Sequence, residues 1–256
     1  MTDFSKLLAA VTATATRAGA LILSIYESDF AVRAKADSSP VTEADELGEA
    51  EILKALAELT PDIPVVSEEA AAAGHIPSVD DRFWLVDPLD GTKEFVKRNG
   101  EFTVNIALVE HGMPVLGVVH APALGRTFAG SVPGGAAVTE PDGRVRLIAV
   151  RDVPDEGLTV VASRSHGDPA LLDAFLAGRK AARIANAGSS LKFCLVAAGE
   201  ADVYPRFGPT MEWDTAAGHA VVLAAGGRVT DADGRPLTYG KPGFRNPHFI
   251  VWGRAS

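Results

Sequence analysis

The sequence is poor in cysteine, in net positive charge and in long apolar runs, and each shortage excludes something. Cys194 is its only cysteine in 256 residues, so no intrachain disulfide can form, and a reducing compartment fits. Lysine and arginine number 24 against 33 aspartates and glutamates, a net charge of −9. Such a chain lacks the basic face that phosphate-backbone binding needs, which excludes polymeric nucleic acid as a partner. A small anionic substrate stays allowed if bound cations invert the local charge. The longest apolar stretch near the N-terminus, Ala18 to Leu23, is too short to cross a bilayer and follows no basic segment. Neither an integral membrane segment nor a secretory signal is expected. There is no internal repeat and no low-complexity tail. The expectation is a cytoplasmic protein, with peripheral association with the inner membrane left open. A hydrophobic content of 47% suffices for one large domain or two intimate lobes.

What is present centres on Phe83-Trp84-Leu85-Val86-Asp87-Pro88-Leu89-Asp90-Gly91-Thr92. The run starts as a buried strand and is expected to break at Pro88 and Gly91. Asp87 and Asp90 stand in that turn. Gly91 lets backbone N–H groups approach an anion, and Thr92 is placed to cap a helix reaching about Lys97. Oxygen ligands for a hard cation and amides for a phosphate thus occur together at one strand end. That combination points to a Mg²⁺-dependent phosphatase.

The remaining chain reads as α+β followed by α/β. Phe4 to Glu27 has an apolar helical stripe. Thr42 is an N-cap for a helix from Glu43 to Leu59, with Asp45 in its first turn. Ile63 to Val66 is a strand leading into Ser67-Glu68-Glu69, and Ala70 to Asp81 an alanine-rich loop. Strands over 103–108, 115–120 and 127–131, then shorter ones to Val150, read as antiparallel. A soft boundary near Arg151 divides an N-terminal lobe, 1–150, from a C-terminal one, 151–256. In the second lobe, strands near 158–162, 181–185 and 201–204 alternate with helices at 169–176, 191–199 and 215–225, which indicates α/β. Val229-Thr230 and 249–252 close the fold. Ser189-Ser190 at a helix start is a candidate anion-binding cap.

Glu68, Asp87, Asp90 and Asp214 each follow an apolar strand or open a helix, where α/β layers assemble sites. Read singly, Asp45 could be an ordinary helix-start acid and Glu68-Glu69 a solvated loop pair. Together, converging carboxylates need divalent cations to relieve their repulsion. Oxygen ligands without His or Cys favour Mg²⁺ or Mn²⁺ over Zn²⁺, and the Leu89 carbonyl can complete a shell. Cys194, His219 and His248 read as structural, and Trp213 as packing behind Asp214. Ser165, His166, Lys192 and Arg206 are candidates for binding a second phosphate, although Arg206 could pair with an acid and His166 could be a solvated loop residue.

Asp87-Pro88-Leu89-Asp90-Gly91-Thr92 resembles the Asp-Pro-(Ile/Leu)-Asp-Gly-(Ser/Thr) signature of the inositol monophosphatase superfamily, whose members are Mg²⁺-dependent, lithium-inhibited phosphatases. Trp213-Asp214-Thr215-Ala216-Ala217 resembles its second signature, and Val41-Thr42 with Asp45, and Glu68-Glu69, its N-terminal motifs. Lys93-Glu94-Phe95 and the runs around Arg98–Asn105, Ser163–His166, Ser189–Cys194 and Tyr204–Thr210 look like the CysQ-type 3′(2′),5′-bisphosphate nucleotidase branch.

The resemblance implies an αβαβα sandwich of the inositol monophosphatase/sugar phosphatase type. It implies hydrolysis of the 3′-phosphate of adenosine 3′,5′-bisphosphate to AMP and phosphate by direct water attack. It implies two or three Mg²⁺: Glu68, Asp87 and the Leu89 carbonyl at one, and Asp87, Asp90 and Asp214 at a second. Asp45 with Glu68 and Thr92 would hold a third ion or position the water. The Gly91 and Thr92 amides would bind the scissile phosphate, Ser189 is a further substrate-binding candidate, and a homodimer is common among such proteins. The competing readings are an inositol or broad-specificity sugar phosphatase with the same metal ligands, and a non-catalytic metal- or nucleotide-binding protein.

Overall fold

A computed structural model describes residues 4–34, 40–163 and 168–254. In chain order, α1 (Phe4–Tyr26) precedes a two-residue antiparallel pair, β1 (Arg33–Ala34) with β2 (Pro40–Val41). Then come α2 (Glu43–Leu59), β3 (Val65–Ser67), α3 (Glu68–Ala72), β4 (Arg82–Asp90) and α4 (Thr92–Val96). An antiparallel meander follows: β5 (Thr103–Glu110), β6 (Met113–Ala121), β7 (Arg126–Ser131), β8 (Gly135–Thr139) and β9 (Val145–Ile148). The second half holds β10 (Leu158–Ser163), α5 (Pro169–Leu176), β11 (Ala181–Ala187), α6 (Leu191–Ala197) and β12 (Val203–Arg206). It closes with α7 (Ala216–Ala224), β13 (Arg228–Asp231) and β14 (Phe249–Trp252).

The strands form a seven-stranded sheet in the order β3-β4-β5-β6-β7-β8-β9 and a five-stranded sheet in the order β11-β10-β12-β14-β13. Alternation along β4 explains the layering. Phe83 and Leu85 join one core cluster, while Trp84 and Val86 join another. Both faces of this strand are therefore buried, as its unbroken apolar run requires. One face is covered by α1 and α2. The other meets α6 and α7, which also touch the second sheet. Beyond that sheet lies α5, whose Phe175 packs on Val160, Val203 and Ile250. The order is helix, sheet, helix, sheet, helix: the expected αβαβα sandwich. Residue 150 lies between the sheets, yet one apolar cluster from Val66 to Val251 crosses that point.

Two features of the packing hold the layers. Gly117 of β6 faces α7, where a Cβ would lie 2.4 Å from the Ala217 carbonyl oxygen; only glycine permits that approach. Helix α1 is long and apolar enough to cross a membrane by length and composition. Its stripe of Leu7, Val11, Ala15, Ala18 and Ile22 is instead buried in the core.

Three local expectations are corrected. The strand does not break at Pro88: β4 continues to Asp90. Its pairing with β5 joins Asp87 to Asn105 and Asp90 to Thr103, leaving Pro88 and Leu89 in a bulge. Proline has no N–H to give a ladder, and a bulge asks for none. The stretch expected to be a loop from Ala70 is helical to Ala72. Thr92 is not the cap of α4: Gly91 is, at φ 93° and ψ 39°, a left-handed conformation that favours glycine.

Candidate active site

The site forms where the C-terminal end of β4 meets the starts of four helices. The bulge at Pro88-Leu89 re-aims the chain, so that Asp87 and Asp90 occupy successive paired positions of β4. Asp87 is buried, and its Oδ1 accepts the Leu89 N–H at 3.0 Å. Strand β3 runs parallel to β4 with Ser67 beside Val86, which brings Glu68 next to Asp87. Asp214 enters from the other half, in the turn before α7, where its Oδ2 accepts the Met211 N–H at 2.8 Å.

Carboxylate oxygens of Glu68, Asp87 and Asp214 all lie within 4.8 Å of one another. That donor set, three carboxylates without nitrogen or sulfur, fits a hard divalent cation. The electrostatics agree. Burial, above all, and the charge of Glu68 push Asp90 up to about 6, against the pull of Lys192 and a hydrogen bond from Ser190. Asp214 is pushed well above the usual carboxylate range by burial, then by Asp90 and Glu68. Carboxylates that resist ionising together are what a bound cation relieves.

Asp45 reaches the site indirectly. Its Oδ2 accepts both the Thr42 backbone N–H at 2.7 Å and the Thr42 hydroxyl at 2.8 Å, closing a capping box on α2. Its Oδ1 accepts the Thr92 hydroxyl at 3.3 Å, and the Leu89 carbonyl lies equally close to that hydroxyl. Asp45 is therefore both a helix-start acid and a partner of Thr92. Among the described residues it stands outside the 4.8 Å carboxylate group.

Glu68, Asp87, Leu89, Asp90, Gly91, Thr92, Ser189, Lys192, Arg206 and Asp214 all line one cavity of about 310 Å³. Lys192 and Arg206 are only 5% and 7% exposed. The Lys192 ammonium donates to the Ser189 carbonyl at 2.5 Å and lies 5.3 Å from the centre of the Tyr204 ring. Burial lowers Lys192 to about 8, with the Asp90 charge opposing that and Arg206 adding to it. Arg206 donates to the Pro209 carbonyl at 2.9 Å, and among the described residues it pairs with no acid. Among the described residues, its Nε has no hydrogen-bond partner. Ser190 is the N-cap residue of α6, but its side chain makes no capping hydrogen bond; its hydroxyl donates to the Asp214 carbonyl at 2.6 Å. Ser165 and His166 lie outside the described residues. Trp213 is buried against Phe244 behind Asp214, Cys194 is buried in α6, and His219 is buried beside Tyr239. His248 is exposed, its ring beside Phe207.

A sequence profile of the inositol monophosphatase family matches residues 3–251. The chain belongs to that family. The family match spans both sheets and every acidic motif. The Escherichia coli 3′(2′),5′-bisphosphate nucleotidase CysQ is 50% identical over 240 residues, 93% of this chain and 96% of that protein. The nucleotidase CysQ of Haemophilus influenzae is 34% identical over 256 residues, 98% and 94% of the two chains. Among solved structures, CysQ from Bacteroides thetaiotaomicron superposes with a TM-score of 0.83 at 39% identity, covering 99% of each chain. An inositol monophosphatase from Thermotoga maritima gives 0.76 at 29%, covering 94% of this chain and 89% of that one.

Three contributors to the site carry little signal in the sequence. Asn105 donates its side-chain N–H to Ser190 Oγ at 3.0 Å; a lone amide in the apolar strand Thr103–Leu108 is the one local hint of it. Tyr204 lines the cavity under Lys192. Glu49 of α2 accepts two backbone N–H groups of α3. Nothing in the local sequence distinguishes Glu49 from the other acids of α2.

Proposed function

We propose that this protein is a Mg²⁺-dependent 3′(2′),5′-bisphosphate nucleotidase that converts adenosine 3′,5′-bisphosphate to AMP and phosphate. The observation that carries the reading is one cavity joining the carboxylate group to two buried cations, Lys192 and Arg206. A substrate with two phosphates needs both kinds of partner. The identity of 50% to CysQ nucleotidases over nearly the whole chain supports the same reading.

In this proposal Glu68, Asp87, Asp90, Asp214 and the Leu89 carbonyl hold two or three Mg²⁺. The bound ions supply charge neutralisation and Lewis-acid polarisation of the phosphoryl oxygens and of water. The chain's own residues do the rest. The Thr92 hydroxyl donates to Asp45 Oδ1, so its lone pairs can accept a proton-bearing water and orient it. Asp45 Oδ1 is the base that takes the proton through Thr92 Oγ1. The Gly91 and Thr92 amides, at the start of α4, bind the scissile phosphate. Burial of the site strengthens each of these contacts relative to water. Lys192, Arg206 and Ser189 bind the remainder of the nucleotide, with Ser165 and His166 as further candidates. A cytoplasmic location and a homodimer belong to the proposal; sedimentation velocity checks the second.

The test is phosphate release with Mg²⁺ from adenosine 3′,5′-bisphosphate, inositol 1-phosphate and fructose 1,6-bisphosphate. The nucleotide should have much the highest kcat/KM. A higher value for inositol 1-phosphate would reassign the protein as an inositol phosphatase, and activity that survives chelation would remove the metal mechanism.

A further inference from the structure

The structure assigns Glu49 as a positioning residue for the carboxylate group: from α2 it caps α3 in trans and so fixes Glu68. This rests on the reading that Glu68 helps to hold Mg²⁺.

Helix α3 lacks a cap of its own. It follows Ser67, whose backbone is extended at φ −121° and ψ 154°, as an N-cap should be, but whose side chain makes no capping hydrogen bond. The Ser67 hydroxyl is buried and has no partner among the described residues. The second and third amides of the helix, Glu69 N–H and Ala70 N–H, donate instead to Glu49 Oε1 at 3.1 and 3.2 Å. One carboxylate oxygen thus does what an N-cap side chain ordinarily does. It also places negative charge at the positive end of the helix.

The geometry matters because of what α2 carries one turn earlier. Asp45 and Glu49 are four apart and so share a face of the helix. From that face Asp45 meets Thr92 at the start of α4, and Glu49 meets the start of α3. The two helices follow the adjacent parallel strands β3 and β4. Helix α2 therefore sets the spacing between Glu68 on one strand end and Asp87, Asp90 and Thr92 on the other. A five-residue helix has no stability of its own. Without its external cap, α3 loses two amide partners, and the Glu68 carboxylate loses its fixed place among Asp87 and Asp214.

The test compares Glu49→Ala and Glu49→Gln with wild type. Mg²⁺ binding is measured by calorimetry, and turnover of adenosine 3′,5′-bisphosphate is followed across Mg²⁺ concentrations. Glu49→Ala should weaken Mg²⁺ binding by roughly 10–100-fold, as loss of an outer partner of a metal ligand does, with turnover recovering at high Mg²⁺. Glu49→Gln still offers an oxygen to both amides and should stay within about threefold of wild type, because a hydrogen bond to the backbone is retained. Wild-type Mg²⁺ affinity in Glu49→Ala would overturn the assignment. So would equal loss of affinity in both variants, since the amide oxygen would then provide no rescue. If wild type itself binds no Mg²⁺, the reading of the site fails first, a result distinct from either of these.

Discussion

The Asn105 side-chain N–H donates to Ser190 Oγ at 3.0 Å, and through that contact Asp90 is linked to Asp214. The same nitrogen lies 3.4 Å from Asp90 Oδ2, and Ser190 passes the chain on to the Asp214 carbonyl. Asn105 is on β5 of the seven-stranded sheet and Ser190 opens α6. The two halves of the molecule are thus joined at the Asp90 carboxylate and the backbone of Asp214. Asn105→Ala removes the donors to Asp90 Oδ2 and to Ser190 Oγ, while Ser190 keeps its bond to the Asp214 carbonyl; the loss should cost about 1–3 kcal/mol of stability and about tenfold or more in kcat. Ser190→Ala should be non-additive with it, because the two residues belong to one network. Denaturation midpoints and a double-mutant cycle in kcat check this.

Asp90→Asn should abolish most activity while the fold survives. The wild-type carboxylate is pushed up to about 6 by burial and by Glu68, so the neutral amide removes repulsion from the metal-free protein. Thermal unfolding should show the variant at least as stable as wild type in chelator. Mg²⁺ at 100 times its dissociation constant stabilises a protein by about 2.7 kcal/mol through mass action. The rise in Tm on adding Mg²⁺ should be large in wild type and small in Asp90→Asn.

Lys192→Met and Arg206→Gln should raise KM for adenosine 3′,5′-bisphosphate more than they lower kcat. A hydrogen bond to a charged group is worth about 1.5–3 kcal/mol, which corresponds to a rise of roughly 10–150-fold. Inositol 1-phosphate, with a single phosphate, should be affected less. An equal change for both substrates would place the two cations at the scissile phosphate instead.

Stability should fall as pH drops from about 6.5 towards 4. Burial lowers His120 to about 4 and His219 to about 3, against an ordinary value of about 6.5. Below that value the unfolded chain binds protons that the folded chain refuses. The contribution of each neutral histidine is therefore complete above pH 6.5 and lost on acidification, by up to about 1.4 kcal/mol per pH unit. Asp90, raised in the metal-free protein, works in the opposite direction. Urea denaturation of wild type and His219→Gln at pH 7 and pH 5, both in Mg²⁺, isolates the histidine: the variant should lose less stability between the two.

Local chemistry is legible in short stretches of the sequence. Thr42 and Asp45 begin α2 through a capping box within four residues, so its limits of Glu43 and Leu59 follow from sequence neighbours. The turn at His111-Gly112 and the apolar runs on either side define the β5–β6 hairpin for the same reason. The four acidic motifs also carried the family, because residue type and order suffice for that resemblance.

Other features depended on partners distant in the chain. Pro88 reads as a strand breaker, yet β4 passes through it because pairing with β5 skips two residues. Thr92 reads as a cap, yet its hydroxyl goes to Asp45, 47 residues away. The amino-acid sequence alone determined which carboxylates and which cationic side chains this protein has, since these are properties of side chains and short motifs. Only the tertiary structure decided that Asp214 meets Glu68 and Asp87, that Asn105 and Ser190 join the two halves, and that Glu49 supports α3. Those relations are made by stacking two sheets on shared helices, and the packing of surfaces so far apart in the chain is written in no local stretch of it.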